Sequence, residues 1–97
     1  MEQDIYVVVH IQVAPESRDE FLRIMEDLVA AARREHGNKR YELTRDLADP
    51  MAFTVIAIWA SAEDIHLHDN SPEVNKLFPL LVSGAVKVNP MRGTLVL

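Results

Sequence analysis

Hydrophobic positions along the first part of the chain follow a strand pattern and then a helix pattern. Ile5 to Val13 is rich in β-branched residues and alternates with polar residues towards its end, which is typical of a β-strand. One face of this strand is wholly apolar and the other is mixed. After a break at Pro15, Ser17 and Glu20 form an S-x-x-E pattern, which predicts a capping box and the start of a helix.

The helix that follows is predicted to be long. Its apolar residues recur at helical spacing, and a glycine suited to the left-handed conformation follows them. The apolar positions are Phe21, Leu22, Met25, Leu28, Val29 and Ala32, and the glycine is Gly37.

The period returns to two after Gly37 and predicts two further strands. From Asn38, apolar and polar residues alternate, and this second strand ends before Asp49-Pro50. The third strand runs from Met51 to Ala60 and is apolar on both faces, which favours a central position in a sheet. One face carries Phe53, Val55, Ala57 and Trp59, and the other carries Thr54, Ile56 and Ile58.

A second helical region and a last strand complete the pattern. Ser61 and Ser71-Pro72 carry the signals of helix starts, and Pro79 is expected to kink or end the helix near Phe78. The stretch from Ala85 to Leu97 reads as a final strand, in which Pro90 and Gly93 indicate an edge or a bulge.

The element order β-α-β-β-α-β predicts an α+β fold with a ferredoxin-like, four-stranded antiparallel sheet. Residues 1–97 form one domain in this interpretation. Two helices can cover only one face of such a sheet, yet large apolar residues recur on the other. These are Tyr6, Val8, Ile56 and Ile58. We therefore expect a homodimer in which a second copy packs against this sheet face.

Composition narrows the classes of function. The chain has 10 Lys and Arg residues against 15 Asp and Glu residues, a formal charge of -5, so no nucleic-acid partner is expected. It has no cysteine, which excludes disulfides, thiolate nucleophiles and cysteine-based metal sites. The acidic start, residues 1–4, lacks the basic region of a secretory signal, and the apolar runs are too short to cross a membrane. We expect a cytoplasmic protein with no membrane partner.

Two groups of residues resemble a known family. Gly37-Asn38-x-x-Tyr41-x-Leu43 is similar to a turn that leads into strand two, and Trp59-x-Ser61-x-Glu63 with Ile65-x-x-His68-x-x-Ser71-Pro72 is similar to a strand end followed by a helix that bears a histidine. Together, and in this order, they resemble the antibiotic biosynthesis monooxygenase (ABM) domain family of small dimeric α+β barrels.

The resemblance implies a cofactor-independent monooxygenase that oxidises a small phenolic, quinol or enolic substrate with dioxygen. Two polar positions of the family pattern carry Ala57 and Glu73 here. The haem-degrading branch is not expected, because its ligand positions fall near Leu77 or Phe78 and near Val8 or Val9. No cofactor is expected. Two alternatives stay open: an isomerase of a small signalling carbonyl compound, and a non-catalytic small-molecule-binding module of the same fold.

Six residues are candidates for the site, and the resemblance contributes most for the first of them. His68 is expected to be the catalytic base, because an imidazole exchanges protons near neutral pH. Asn38 would orient a substrate oxygen as the second catalytic residue, although the turn itself also explains an asparagine there. The residues expected to bind the substrate are Trp59, Phe53, Val55 and Tyr41. Core packing is the alternative for each of these four.

The other histidines are assigned no catalytic role. His66 and His68 lie two positions apart, so on a helix they point to nearly opposite sides and cannot hold one metal ion. No metal site is predicted. We expect His10 to contact the dimer partner and His36 to interact with the dipole of the first helix.

Overall fold

The computed structural model describes residues 3–97, and Met1 and Glu2 of the acidic start lie outside this range. The four strands are β1 (Ile5–Val13), β2 (Asn38–Arg45), β3 (Ala52–Trp59) and β4 (Val86–Thr94). The helices are α1 (Arg18–Ala32), α2 (Ala62–Asp69), α3 (Pro72–Asn75) and α4 (Phe78–Ser83). The strands form one sheet in the order β2-β3-β1-β4 with every neighbouring pair antiparallel. The predicted ferredoxin-like α+β fold is confirmed.

The core lies between α1 and the apolar face of the sheet. Helical spacing brings the predicted residues Phe21, Met25, Leu28 and Ala32 to one buried face of α1, as an amphipathic helix requires. The alternate residues of β3 from Phe53 to Trp59 are buried opposite them. Within residues 3–97 no helix covers the opposite sheet face, and Tyr6 is 37% exposed there.

The predicted capping box at Ser17 does not form. A short 3-10 turn over Pro15–Ser17 precedes α1, and the Ser17 side chain makes no capping hydrogen bond. The backbone of Ser17 is already turned, with φ -103° and ψ 1°, whereas a capping residue needs an extended backbone. Ser61 and Ser71 are extended, and their hydroxyls accept from the backbone N–H groups of Asp64 and Val74.

Pro79 begins a helix and does not end one. The helical region after β3 is already interrupted between Asn75 and Phe78, and Pro79 lies in the first turn of α4. A proline is tolerated there because the N–H that it lacks would have no helical acceptor. β4 lies at the sheet edge, which is one of the two features that Pro90 and Gly93 indicated, and its pairing with β1 continues past both residues without a bulge.

The part of the chain that the structure describes contains no helix long and apolar enough to span a bilayer.

Candidate functional site

A cavity of about 240 Å³ lies between the inner sheet face and the helices. Its walls are mostly aliphatic side chains from β1, β3, β4 and all four helices. Polar atoms are supplied by Tyr41, Trp59, His68, Asp69 and Arg92. An apolar cavity with a few convergent polar groups is the usual form of a small-molecule site.

Three rings meet at one wall of this cavity. The ring of His68 lies 4.9 Å from that of Trp59 and 5.2 Å from that of Tyr41, measured between centroids. Tyr41 and Trp59 are 6.3 Å apart in an edge-to-face arrangement. Each of the three residues is at most 7% exposed. The three rings are tilted against one another, and together they give the cavity a sheltered aromatic wall that an aromatic ligand could contact.

Helix α2 brings His68 to the cavity. Its start is fixed by Ser61, whose side chain accepts from the backbone N–H of Asp64. The buried residues of α2 are Asp64, Ile65 and His68, and this i, i+1, i+4 spacing places them on one side of a helix. His68 therefore faces inward, and His66 on the same helix is exposed.

His68 uses one ring nitrogen for a bond to the protein and keeps the other accessible. Its Nδ1 lies 2.7 Å from Oε1 of Glu35, in the turn between α1 and β2. Among the described residues, no buried side-chain N or O atom lacks a hydrogen-bond partner. Nε2 has no hydrogen-bond partner in this part of the chain and is therefore not fully buried. His68 lines the cavity, through which a ligand could reach this nitrogen.

The Tyr41 hydroxyl is held in its protonated form. Burial raises the pKa of Tyr41 far above its usual value of 10, and the negative charges of Asp69 and Glu35 raise it further. Both causes disfavour a phenolate. At neutral pH this hydroxyl can therefore act as a hydrogen-bond donor towards a ligand in the cavity.

A second histidine and carboxylate pair lies beside the first. Nδ1 of His36 is 2.9 Å from Oδ1 of Asp64, and the Ser61 hydroxyl donates to Oδ2 of the same carboxylate at 2.8 Å. Besides the expected interaction with the helix dipole, His36 thus has a carboxylate partner that the sequence did not predict. The hydrogen bond with Asp64, followed by its charge, raises the pKa of His36. The hydrogen bonds from His36 and then Ser61 lower the pKa of Asp64.

These shifts predict a pH dependence of stability. Because the pKa of His36 is raised above its ordinary value of 6.5, the pair stabilises the fold below pH 6.5. This contribution is lost as the pH rises through the raised pKa. Because the pKa of Asp64 is lowered below its ordinary value of 3.8, the pair stabilises the fold above pH 3.8. This contribution is lost as the pH falls through the lowered pKa. The variant His36→Ala should therefore lose more unfolding free energy at pH 5.5 than at pH 8.5, measured by urea denaturation.

The exposed His66 provides the control for this measurement. His66→Ala removes an exposed imidazole from α2 without breaking the pair, so its effect should be small and similar at both pH values. A loss in His36→Ala that is equal at the two pH values would contradict the prediction.

The structure brings four of the six predicted site residues together. Tyr41, Val55, Trp59 and His68 all line the cavity. Phe53 does not: it packs against Phe21 with ring centroids 5.2 Å apart, and it borders a shallower, more open groove instead. Core packing, the alternative to substrate binding for Phe53, therefore explains its position.

Asn38 also lies outside the cavity wall. Its side-chain amide donates to the backbone carbonyl of Arg40 at 3.1 Å. The pairing of β2 with β3 is irregular between these two residues, so Asn38 supports the backbone at this irregularity. A role for Asn38 in orienting a substrate oxygen has no geometric support, because its amide is bound two residues away.

Several functional candidates carried no usable signal in the sequence. Glu35 belongs to a polar run after α1, and only the conformation of the turn brings it to His68. Arg92 and Asp69 form an ion pair of 3.0 Å on the cavity wall, although β4 and α2 are distant in the chain. A charged residue on an edge strand is ordinarily solvent-exposed, so Arg92 did not stand out from the sequence.

The residues that were considered for metal and haem binding can now be placed in the fold. Among residues 3–97, no three histidine or carboxylate side chains converge as metal ligands would. Leu77, at one haem-ligand position suggested by the resemblance, lines the cavity, and Phe78 is 65% exposed. Neither side chain can ligate iron. His10 lies on the outer sheet face, with Nδ1 3.3 Å from the Thr54 hydroxyl.

Comparison with known sequences confirms the resemblance seen in the motifs. The sequence profile described as antibiotic biosynthesis monooxygenase matches residues 4–79 of this chain. The Bacillus subtilis (strain 168) protein named "Putative monooxygenase YcnE" is 30% identical over 67 residues, which make up 69% of this chain and 70% of that protein.

Solved structures share the whole fold. PA3566 from Pseudomonas aeruginosa superposes with a TM-score of 0.88 at 22% identity, over 100% of this chain and 98% of that one. The structure named "Putative antibiotic biosynthesis monooxygenase from Nitrosomonas europaea" gives a TM-score of 0.86 at 14% identity, over 99% and 93% of the two chains. At these identities the likeness concerns the fold alone.

Proposed function

Because this chain belongs to the antibiotic biosynthesis monooxygenase family, we propose that it oxidises a small phenolic, quinol or enolic substrate with dioxygen. The observation that carries the proposal is the accessible Nε2 of His68 in an apolar cavity beside Trp59 and Tyr41. A base in an apolar cavity, next to aromatic side chains that a ligand could contact, suits the oxidation of an ionisable aromatic substrate.

The chemistry begins with a proton transfer. Nε2 of His68 takes the proton of the substrate hydroxyl, which leaves an electron-rich anion in the cavity. This anion gives one electron to dioxygen, and the resulting radical and superoxide combine to a peroxide. The protonated Nε2 of His68 returns its proton to the peroxide. The carbon that bears the hydroperoxide then loses its hydrogen as the O–O bond breaks, which leaves one oxygen atom on that carbon as a carbonyl and releases the other, with both hydrogens, as water. The substrate is oxidised to a quinone-type carbonyl, and no metal, flavin or haem takes part because the substrate anion is the reductant.

The other two rings stabilise the anion. The Tyr41 hydroxyl, kept protonated by burial and nearby carboxylates, can donate to the substrate oxygen as its charge develops. Trp59, 1% exposed, supplies a flat surface and excludes water. In this proposal Tyr41 takes the orienting role that the sequence suggested for Asn38.

The test is oxygen consumption with a panel of hydroquinones and enolic compounds in flavin-free buffer, with product mass measured in the same samples. We expect one dioxygen consumed per product, and a product that has gained one oxygen and lost two hydrogens. Conversion without oxygen uptake would contradict the proposal and favour the isomerase. A panel that raises the melting temperature and yields no product would favour the binding module.

We also propose that the working unit is a homodimer joined through the outer sheet face. This face carries Val8 and Ile56, which are paired across β1 and β3, together with Tyr6 and the 58% exposed Met91. Covering these side chains stabilises each by about 1.5–3 kcal/mol when burial is complete. The other face of the sheet is already occupied by the helices, so a second copy would meet this one.

Sedimentation tests this assembly. The wild type should sediment as a dimer at micromolar concentration, and Ile56→Glu should weaken association at least about 30-fold, because it would bury an unpaired charge. Leu47→Glu is the matched control, since Leu47 is fully exposed in the loop between β2 and β3 and should leave the dimer intact. A monomeric wild type would refute the assembly.

A further inference from the structure

Two consecutive residues of the turn between α1 and β2 contact helix α2, one through a carboxylate and the other through an imidazole. The Glu35 carboxylate faces Nδ1 of His68 at 2.7 Å, and Nδ1 of His36 faces the Asp64 carboxylate at 2.9 Å. Asp64 and His68 are four positions apart on α2, so they lie one above the other on the same helix face. The turn therefore supplies one acid and one base, and α2 supplies the complementary base and acid.

We propose that Glu35 is the positioning residue of His68, an inference that rests on the proposed function. An ionised carboxylate can only accept hydrogen bonds, so the bond to Glu35 requires the proton on Nδ1. The unprotonated nitrogen is then Nε2, the ring nitrogen that the described residues leave without a hydrogen-bond partner on the side chain that lines the cavity. Glu35 thus selects the tautomer that can take a proton from the substrate.

The surroundings of His68 favour this role over a surface ion pair. The side chain of His68 is 8% exposed and that of Glu35 is 26% exposed, so solvent screens the pair only partly. His68 also lies in the last turn of α2, so its contact with Glu35 fastens the end of this helix to the turn between α1 and β2. At this largely buried position the contact can orient the imidazole ring.

Other charged and titratable groups near the ring are accounted for. Tyr41 approaches from β2 and stays neutral in the working pH range. Asp69 follows His68 on α2 and is paired with Arg92 of β4 at 3.0 Å. Glu35 is therefore the carboxylate in direct contact with His68 among the described residues, and Asp64 fixes the helix one turn earlier through His36.

The first readout is the tautomer of His68, observed by nitrogen-15 NMR of the imidazole at pH 8. A free imidazole prefers its proton on Nε2, whereas His68 of the wild type should have its proton on Nδ1. Glu35→Ala should return His68 to the ordinary tautomer mixture. Glu35→Gln should keep most of the Nδ1–H form, because its amide oxygen can still accept. Glu26→Gln, an exposed carboxylate on α1, is the control and should change nothing.

The second readout is catalysis on a hydroquinone that the wild type oxidises. Glu35→Ala should lower kcat about 10- to 100-fold with little change in KM, since Glu35 does not line the cavity. Glu35→Gln should recover part of this loss, and it serves as the variant to measure if the alanine variant does not fold.

The two readouts test the role of Glu35 separately from the proposed oxidation. If no substrate is oxidised, the NMR experiment still decides whether Glu35 sets the tautomer. A wild-type His68 protonated on Nε2, or a tautomer that is unchanged in Glu35→Ala, would overturn the inference. A loss of kcat without a change of tautomer would also overturn it, because the role of Glu35 would then be structural.

Discussion

The variant His68→Asn is expected to lose at least about 10²-fold in turnover on a hydroquinone. The asparagine amide can still donate to the Glu35 carboxylate, which His68 contacts at 2.7 Å, but it has no basic nitrogen to face the cavity. The substitution therefore removes the proton acceptor and retains the bond that fastens α2 to the turn. Oxygen consumption under saturating substrate measures the loss, and KM should change far less than kcat.

A substrate that is already ionised provides the sharper control. If His68 serves only to remove the first proton, a phenol acidic enough to be an anion at the assay pH does not need it, so the deficit of His68→Asn should shrink with that phenol. His66→Asn, on the exposed side of α2, should leave the rate unchanged for both kinds of substrate. Equal rates for His68→Asn and the wild type would remove the role of base from His68.

The fold could be predicted from the sequence because its hydrophobic periods are clear. Alternation along β3 marks two apolar faces, and this strand is central in the sheet. The capping signals show the limit of such patterns. Ser17, Ser61 and Ser71 all precede a helix, yet only the last two cap it, because a 3-10 turn over Pro15–Ser17 changes the backbone of Ser17. A local pattern contains no information on that turn.

The candidate site was predictable in part, for a geometric reason. Alternation correctly groups Phe53, Val55 and Trp59 on one face of β3, but it does not say how far along the strand the helices leave space. Phe53 lies six residues from Trp59, which is about 20 Å in an extended strand, and α1 fills that end through Phe21. Glu35 was missed because its contact with His68 joins a turn to a helix 33 positions later.

That turn also carries the largest expected effect on stability, at Gly37. Its φ of +80° lies in the left-handed region, and a Cβ at this position would collide with the carboxylate of Asp64. In Gly37→Ala, the backbone strain costs about 1–2 kcal/mol. Displacing Asp64 would in addition break its hydrogen bonds to His36 and Ser61, a loss comparable to that of a helix cap. Together we expect about 2–4 kcal/mol of lost unfolding free energy.

Gly84 separates the two causes, because it has nearly the same φ, +81°, and a Cβ added there would meet no atom within 4 Å beyond its chain neighbours. Gly84→Ala should therefore show the backbone strain alone, and denaturant unfolding should place Gly37→Ala clearly below it. The additional loss of unfolding free energy in Gly37→Ala over Gly84→Ala should shrink when Gly37→Ala is measured in an Asp64→Ala background, since the colliding carboxylate is then gone. Equal losses at the two glycines would mean that the Asp64 side chain moves aside without a measurable cost, and this result would contradict the prediction.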